Sequence, residues 1–159
     1  MQVDKQVDKQ ITLRRASTQD FDYCANLYFA EMEKIIRELN LDWAAQMASF
    51  RQQWEATQVQ IITFGGVDVG WLQSSAQDDV IFLGQLFVDR AFQRRGIGTE
   101  VIRFLIGEAT RAGRAMTLGV VKTNPAMRLY KRLGFRIADE DDRKFYMKRD
   151  PNSAGPISS

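Results

Sequence analysis

The segment that constrains the fold most is residues 80–112, where an apolar stretch passes through a glycine-containing turn into an amphipathic pattern. Residues 80–88 are apolar at nearly every position, which is typical of a strand in the middle of a sheet, buried on both faces. Apolar residues then recur at helical spacing over about residues 98–112, so the segment predicts a strand, a short loop and a helix. A buried strand needs neighbouring strands and a layer of helices, and the sequence therefore predicts a mixed α/β domain.

The rest of the chain supplies those elements. Alternating apolar residues and turn signals predict six further strands, over residues 11–15, 59–64, 69–73, 116–121, 135–138 and 144–148. Amphipathic spacing predicts three further helices, over about residues 20–35, 42–54 and 125–133, the last with Asn124 as its N-cap. No linker interrupts the pattern, so we expect one domain over residues 11–150, preceded by a polar extension (1–10) and followed by a tail of disordered composition (151–159).

Composition excludes several kinds of chemistry. The 159 residues include no histidine and one cysteine, Cys24, which excludes disulfides within the chain, zinc sites built from Cys and His, and catalysis by a histidine base. Cys24 lies in an apolar helical stripe, which predicts a buried core thiol. The longest apolar run is too short to cross a membrane, and the polar N-terminus lacks the apolar centre of a secretory signal. We therefore expect a soluble, cytoplasmic protein.

The turn after residue 88 carries the clearest chemical signal. Gly96 and Gly98 allow the main chain to approach a ligand closely, and the N–H groups at the start of the following helix have no intrahelical acceptors. With Arg94 and Arg95 beside them, these groups favour a phosphate or pyrophosphate. The Gly-Lys-Ser/Thr ending of a Walker A loop and the third glycine of a dinucleotide fingerprint are missing. On spacing alone, a tight turn with two solvated arginines explains the segment equally well.

Two motifs resemble those of a known family. Gln93-Arg-Arg-Gly-Ile-Gly98 matches the (Gln/Arg)-x-x-Gly-x-(Gly/Ala) signature of the GNAT superfamily of N-acetyltransferases, and the segment Asn124 to Gly134-Phe135 resembles that family's second motif, in the same order. The resemblance implies the GNAT fold, with a central mixed, mostly antiparallel sheet of six to seven strands and helices on both faces. It also implies acetyl-CoA as co-substrate and no metal.

The same resemblance implies roles for individual residues. Tyr130 would be the general acid that protonates the departing CoA thiolate, although its place on an apolar stripe also suits a core aromatic. Asn124 would contact the cofactor near its pantetheine end. Main-chain groups would bind the pantetheine arm at Leu86, Phe87 and Val88, and the pyrophosphate across Gln93, Arg94, Arg95, Gly96, Ile97, Gly98 and Thr99.

The general base is not evident in the sequence. Many relatives use a glutamate on one of the two central strands, but this chain has Gln85 and Gly119 at the corresponding positions. Glu31 or Glu33 could replace it, ordered water could carry the proton away, or the acceptor could arrive neutral. Glu33 could equally pair with Arg37, one helical turn further on.

These features favour an N-acetyltransferase that acts by direct attack of a primary amine in a ternary complex. The amine could belong to a small molecule or to a protein, and a homodimer is compatible with such a fold. One alternative is a catalytically silent module that binds acyl-CoA or regulates another protein. A nucleic-acid binder using residues 90–95 is disfavoured by the formal net charge of only +2, and nothing indicates a membrane partner.

Overall fold

The computed structural model describes residues 4–152 of the chain. Within this range the chain forms eight strands and four α-helices, in the order β1 (Lys5–Gln6), β2 (Ile11–Arg15), α1 (Phe21–Glu38), α2 (Trp43–Gln53), β3 (Val59–Phe64), β4 (Val67–Gln77), β5 (Val80–Val88), α3 (Ile97–Arg111), β6 (Ala115–Val121), α4 (Ala126–Arg132), β7 (Arg136–Glu140) and β8 (Lys144–Arg149). Of the predicted tail, only residues 151 and 152 are described, in a turn, and residues 1–3 of the predicted extension also lie outside the described range.

The strands pair in the order β1-β2-β3-β4-β5-β6-β8-β7. Strands β5 and β6 run parallel, because α3 connects them, whereas β1–β2, β2–β3, β3–β4, β6–β8 and β7–β8 are antiparallel. The predicted mixed, mostly antiparallel sheet is confirmed. It has one strand more than the predicted six to seven, because part of the polar extension pairs as β1 with β2.

The described chain divides into two compact units. The first contains the residues up to Gln73 together with Gln85–Gly98. In it, apolar side chains of α1 and α2 pack on side chains of β3 and β4 such as Val59, Ile61 and Trp71. Cys24 is fully buried in this cluster as a free thiol, which confirms the prediction of a core cysteine.

The second unit contains Ser74–Gly84 and the residues from Thr99 onward. Its buried apolar side chains come from α3, from alternate positions of β6 and from β8, and include Val101, Ile106, Leu118, Val120 and Met147. Arg149 is also buried, at 3% exposure. Its Nε donates to the carbonyl oxygen of Leu133 at 2.8 Å and its Nη1 to Thr110 Oγ1 at 3.3 Å, so this arginine ties β8 to the helices of the unit.

One prediction about strand burial is wrong. Strand β5 lies in mid-sheet, but Phe82 is 47% exposed. Phe82 pairs with Thr117 of β6. Gly119 and Tyr146, which pair with each other on the same face of the sheet, are exposed as well. This face of the second unit is therefore open, because small and polar residues line it beside Phe82.

None of the helices in the described range is long and apolar enough to cross a membrane.

Candidate active site

The loop after β5 turns through two residues with left-handed backbone conformation. Asp89 begins it by accepting a hydrogen bond from the Ala91 N–H at 2.9 Å. Arg94 then has φ +66° and Gly96 has φ +78°, and α3 begins at Ile97. A glycine adopts such a φ at no steric cost, whereas an arginine does so only when its surroundings hold it there. The loop therefore has a defined shape that requires glycine at position 96.

The loop presents consecutive N–H groups that the protein leaves unpaired. Within residues 4–152, the N–H groups of Arg94, Arg95 and Gly96 donate no hydrogen bond, and the first N–H groups of α3 have no intrahelical acceptor. A Cβ atom at Gly96 would meet nothing within 4 Å, so the space over the loop is open. Arg95 adds positive charge, its guanidinium lying 5.3 Å from the centre of the Phe92 ring. Such an array is suited to an anion.

The side chain of Gln93 joins the loop to two other elements of the first unit. Its Nε2 donates to the Val88 carbonyl oxygen at 2.7 Å and to Glu31 Oε1, on α1, at 3.3 Å. Glu31 also forms an ion pair with Arg90, whose Nε lies 3.8 Å from the same oxygen. Glu31 is thus placed against the loop, whereas the Glu33 carboxylate pairs with Arg37 on the helix surface.

Strands β4 and β5 approach each other very closely at Gly70. A Cβ atom at this position would lie 2.2 Å from the Phe87 carbonyl oxygen and 3.1 Å from the Val88 Cα. Both Phe87 and Val88 therefore have carbonyl groups that face the protein, the first against Gly70 and the second bonded to Gln93. Gly70 is not among the site residues predicted from the sequence, although an isolated glycine in a strand pattern is a signal of close backbone approach.

Aromatic rings surround Phe87 at this end of β5. Its ring centre lies 5.4 Å from Tyr28 on α1, at an interplanar angle of 82°, and 5.4 Å from Trp71 on β4. The Trp71 Nε1 is buried and has no hydrogen-bond partner among the described residues. Burial raises the pKa of the Tyr28 hydroxyl, so it stays protonated near neutral pH. The aromatic residues near the strand end thus form a largely apolar wall.

Tyr130 lies on α4, in the second unit. It is half-buried, and its ring centre lies 5.9 Å from that of Phe135, so the side chain is partly packed against an aromatic neighbour beyond the helix. Burial raises the pKa of its hydroxyl, and within the described residues that hydroxyl makes no hydrogen bond of its own. The phenol is therefore protonated at neutral pH and free to bind or donate.

Asn124 has a structural role at the start of α4. Its Oδ1 accepts a hydrogen bond from the Ala126 N–H at 2.9 Å, which satisfies one of the free donors at the beginning of the helix. The helix itself begins at Ala126, one residue later than the sequence pattern suggested.

At Gly119, on β6, a tyrosine ring occupies the space beside the main chain. Gly119 pairs with Tyr146 of β8, and a Cβ atom at Gly119 would lie 3.4 Å from the ring. The Tyr146 hydroxyl donates to Asp141 Oδ2 at 2.7 Å. This bond, together with the N–H groups of Arg143 and Lys144, lowers the pKa of Asp141 to about 2. Residue spacing carries no signal of the contact between Gly119 and Tyr146, because this contact depends on the register of β6 with β8.

Within the described residues, no group of three or more His, Cys, Asp or Glu side chains is arranged to hold a metal ion.

Comparison with known proteins agrees with this geometry. Residues 23–135 match the Acetyltransferase (GNAT) family. A curated relative, an uncharacterised N-acetyltransferase of Methanocaldococcus jannaschii, is 37% identical over 76 residues, which cover 46% of this chain and 34% of that protein.

Two solved structures show the same fold. PaiA N-acetyltransferase from Thermoplasma acidophilum, in complex with coenzyme A, has a TM-score of 0.69 at 14% identity, covering 88% of this chain and 98% of its own. The ribosomal-protein-S18-alanine N-acetyltransferase from Escherichia coli has a TM-score of 0.64 at 22% identity, covering 94% of this chain and 99% of its own.

The glycine loop, the mostly antiparallel sheet and the matched segment together define a domain of the GNAT class. This chain belongs to the GNAT family of acetyltransferases, and it spans about a third of the length of the curated relative (34%).

Proposed function

We propose that this protein transfers the acetyl group of acetyl-CoA to a primary amine. Family membership supports the reaction class. The single observation that carries the proposal is the run of unpaired N–H groups from Arg94 into α3, over open space and beside Arg95. The pyrophosphate of CoA has the negative charge that favours this site and the acceptor oxygens to which these N–H groups can donate.

In the proposed complex, the loop from Gln93 to Thr99 binds the pyrophosphate. Main-chain groups of residues 86–88 bind the pantetheine arm, other than the carbonyls of Phe87 and Val88, which face Gly70 and Gln93. The Asn124 side chain keeps its Nδ2 for the cofactor, since its Oδ1 caps α4. CoA supplies the acetyl group as an activated thioester.

The reaction is a direct transfer without a covalent enzyme intermediate. The neutral amine attacks the thioester carbonyl, the new C–N bond forms, and the C–S bond breaks as the tetrahedral species collapses. Tyr130 donates its hydroxyl proton to the departing thiolate and regains a proton from water. Because burial raises the pKa of this hydroxyl, the phenol is fully protonated at neutral pH and has a proton to donate.

The proton lost by the acceptor needs a different route. The Glu33 carboxylate pairs with Arg37, and Glu31 is shared between Gln93 and Arg90. Neither carboxylate is therefore free, and we propose that the amine binds in its neutral form or loses its proton to water. Turnover should then rise with pH as the fraction of neutral amine rises, with an apparent pKa equal to that of the amine.

The test begins with the thermal midpoint of the protein with and without acetyl-CoA. Ligand at about one hundred times its dissociation constant stabilises a protein by about 2.7 kcal/mol, which raises the midpoint of a chain of this length by roughly 5 to 11 °C. Gly96→Val should abolish the shift, since a β-branched residue at φ +78° is strained and the loop would lose the shape in which it presents its N–H groups. Gly107→Ala, in α3 beyond the loop, is the matched control and should retain the shift.

Turnover with a panel of small amines and peptide N-termini then tests the chemistry. Tyr130→Phe should lower turnover by roughly 10- to 10⁴-fold and leave the acetyl-CoA shift intact. Unchanged turnover in this variant would remove the assignment of Tyr130. No shift at millimolar acetyl-CoA would contradict the proposed function, and a shift without turnover on any amine would favour the silent acyl-CoA-binding module.

A further inference from the structure

Two glutamates of α1, Glu31 and Glu38, have different surroundings. The Glu31 side chain is 23% exposed and contacts the glycine loop through Gln93 and Arg90. Glu38, on the same helix, is 62% exposed and pairs only loosely with Lys34, at 3.9 Å. An acidic side chain close to an anion-binding loop would by itself weaken anion binding, so its placement there needs an explanation.

The explanation lies in the hydrogen bonds of Gln93. Two groups lie within hydrogen-bond distance of the Gln93 amide, the Val88 carbonyl and the Glu31 carboxylate, and neither has a hydrogen to donate. Gln93 must therefore present its NH₂ group to both. Both amide hydrogens are then used and the amide orientation is fixed. Gln93, the first residue of the loop motif, is thereby anchored to the end of β5 and to α1 simultaneously.

We propose that Glu31 is a positioning residue: through Gln93 it holds the loop from Arg94 to Gly96 in its anion-binding shape before CoA arrives. The inference rests on the proposed function and deepens it. Without the carboxylate, Gln93 keeps one bond, its amide can rotate, and the loop must be ordered at the moment of binding. That ordering weakens affinity and leaves the chemical step unchanged.

Glu31→Ala and Glu31→Gln separate positioning from charge. Glu31→Ala removes the acceptor for Gln93, and the dissociation constant of CoA, measured by calorimetry, should rise about 3- to 10-fold, as for loss of one hydrogen bond. Glu31→Gln retains an oxygen that can accept from Gln93 and removes the negative charge, so affinity should be unchanged or higher. Glu38→Ala, on the same helix and with its own ion pair, is the control and should match the wild type.

Turnover distinguishes this role from that of a general base. At saturating acetyl-CoA, both Glu31 variants should keep the wild-type kcat and its pH profile. A fall of kcat in both variants with loss of the basic limb, at unchanged CoA affinity, would overturn positioning and make Glu31 the base. CoA affinity of Glu31→Ala within twofold of the wild type would also overturn it.

A readout without CoA keeps the two proposals apart. In the free protein, the Gln93 side-chain amide resonances should shift in Glu31→Ala and stay in place in Glu38→Ala. Unchanged resonances in free Glu31→Ala would contradict the positioning contact, whereas failure of the wild-type protein to bind CoA would contradict the proposed function. Circular dichroism and the thermal midpoint of each variant establish that it is folded.

Discussion

Replacement of Gly70 by alanine should damage both stability and cofactor binding. The added Cβ atom would lie 2.2 Å from the Phe87 carbonyl oxygen, whereas real Cβ contacts are essentially never shorter than 3.0 Å. Strands β4 and β5 would have to separate locally by about 0.8 Å. Because the obstacle is backbone, and not the tip of a flexible side chain, no rotamer change can relieve it.

The expected loss of stability in Gly70→Ala is the difference between two opposing effects. Forcing extra atoms into a packed site costs about 1–3 kcal/mol, and the loss of glycine's freedom in the unfolded chain returns about 0.4–1 kcal/mol. The steric effect is the larger. For a chain of this length each kcal/mol changes the thermal midpoint by about 2–4 °C, so Gly70→Ala should melt several degrees below the wild type.

The assay is thermal and urea unfolding, each with and without acetyl-CoA. Gly70→Ala should also show a smaller acetyl-CoA shift, because Phe87 and Val88 are the residues displaced. Gly107→Ala is the control: the nearest atoms to its new Cβ belong to the flexible Arg111 guanidinium, at 3.4 Å, and alanine in a helix interior gains about 1 kcal/mol. Wild-type stability and an undiminished shift in Gly70→Ala would refute the close approach of the two strands.

Two further predictions concern ionisable groups. Burial raises the pKa of Cys24 to about 12, so a thiol reagent at pH 8 should label the native protein slowly and label one thiol at once in urea; rapid labelling without denaturant would contradict its burial. Tyr146→Phe should return the pKa of Asp141 from about 2 toward its usual range, which NMR titration of the carboxyl carbon would measure. Since the folded pKa of Asp141 lies below its unfolded value, the stability it contributes is present above about pH 4 and is lost as the pH falls toward 2. That loss should be smaller in Tyr146→Phe, and identical acid sensitivity in both proteins would contradict the bond.

Much of the fold follows from local sequence patterns. Strands β2, β3 and β5 begin and end where alternation and apolar runs predict, because strand-forming residues give way there to polar, turn or loop residues. Boundaries that depend on pairing are less accurate. The strand predicted over residues 135–138 extends as β7 to Glu140, since Asp139 and Glu140 pair with Tyr146 and Phe145 of β8.

Of the candidate site, the sequence predicts the glycine loop but not the tertiary contacts around it. The glycine loop follows from spacing, because a left-handed residue and free helical amides are local properties. The contact of Glu31 with Gln93 joins residues 62 positions apart, and the carbonyl against Gly70 depends on how two strands meet. Neither can be derived from a single sequence, because both arise from tertiary packing that many other residues determine.

The Tyr146 ring beside Gly119 has a consequence for the history of this chain. A Cβ atom at position 119 would be in van der Waals contact with this ring, and a longer side chain would have to extend past it, so the effect of a substitution at one position depends on the residue at the other. The two sites are therefore epistatic: a side chain at position 119 meets different surroundings beside a tyrosine than beside a smaller residue at position 146, and the effect of each change depended on which residue stood at the other site when it arose.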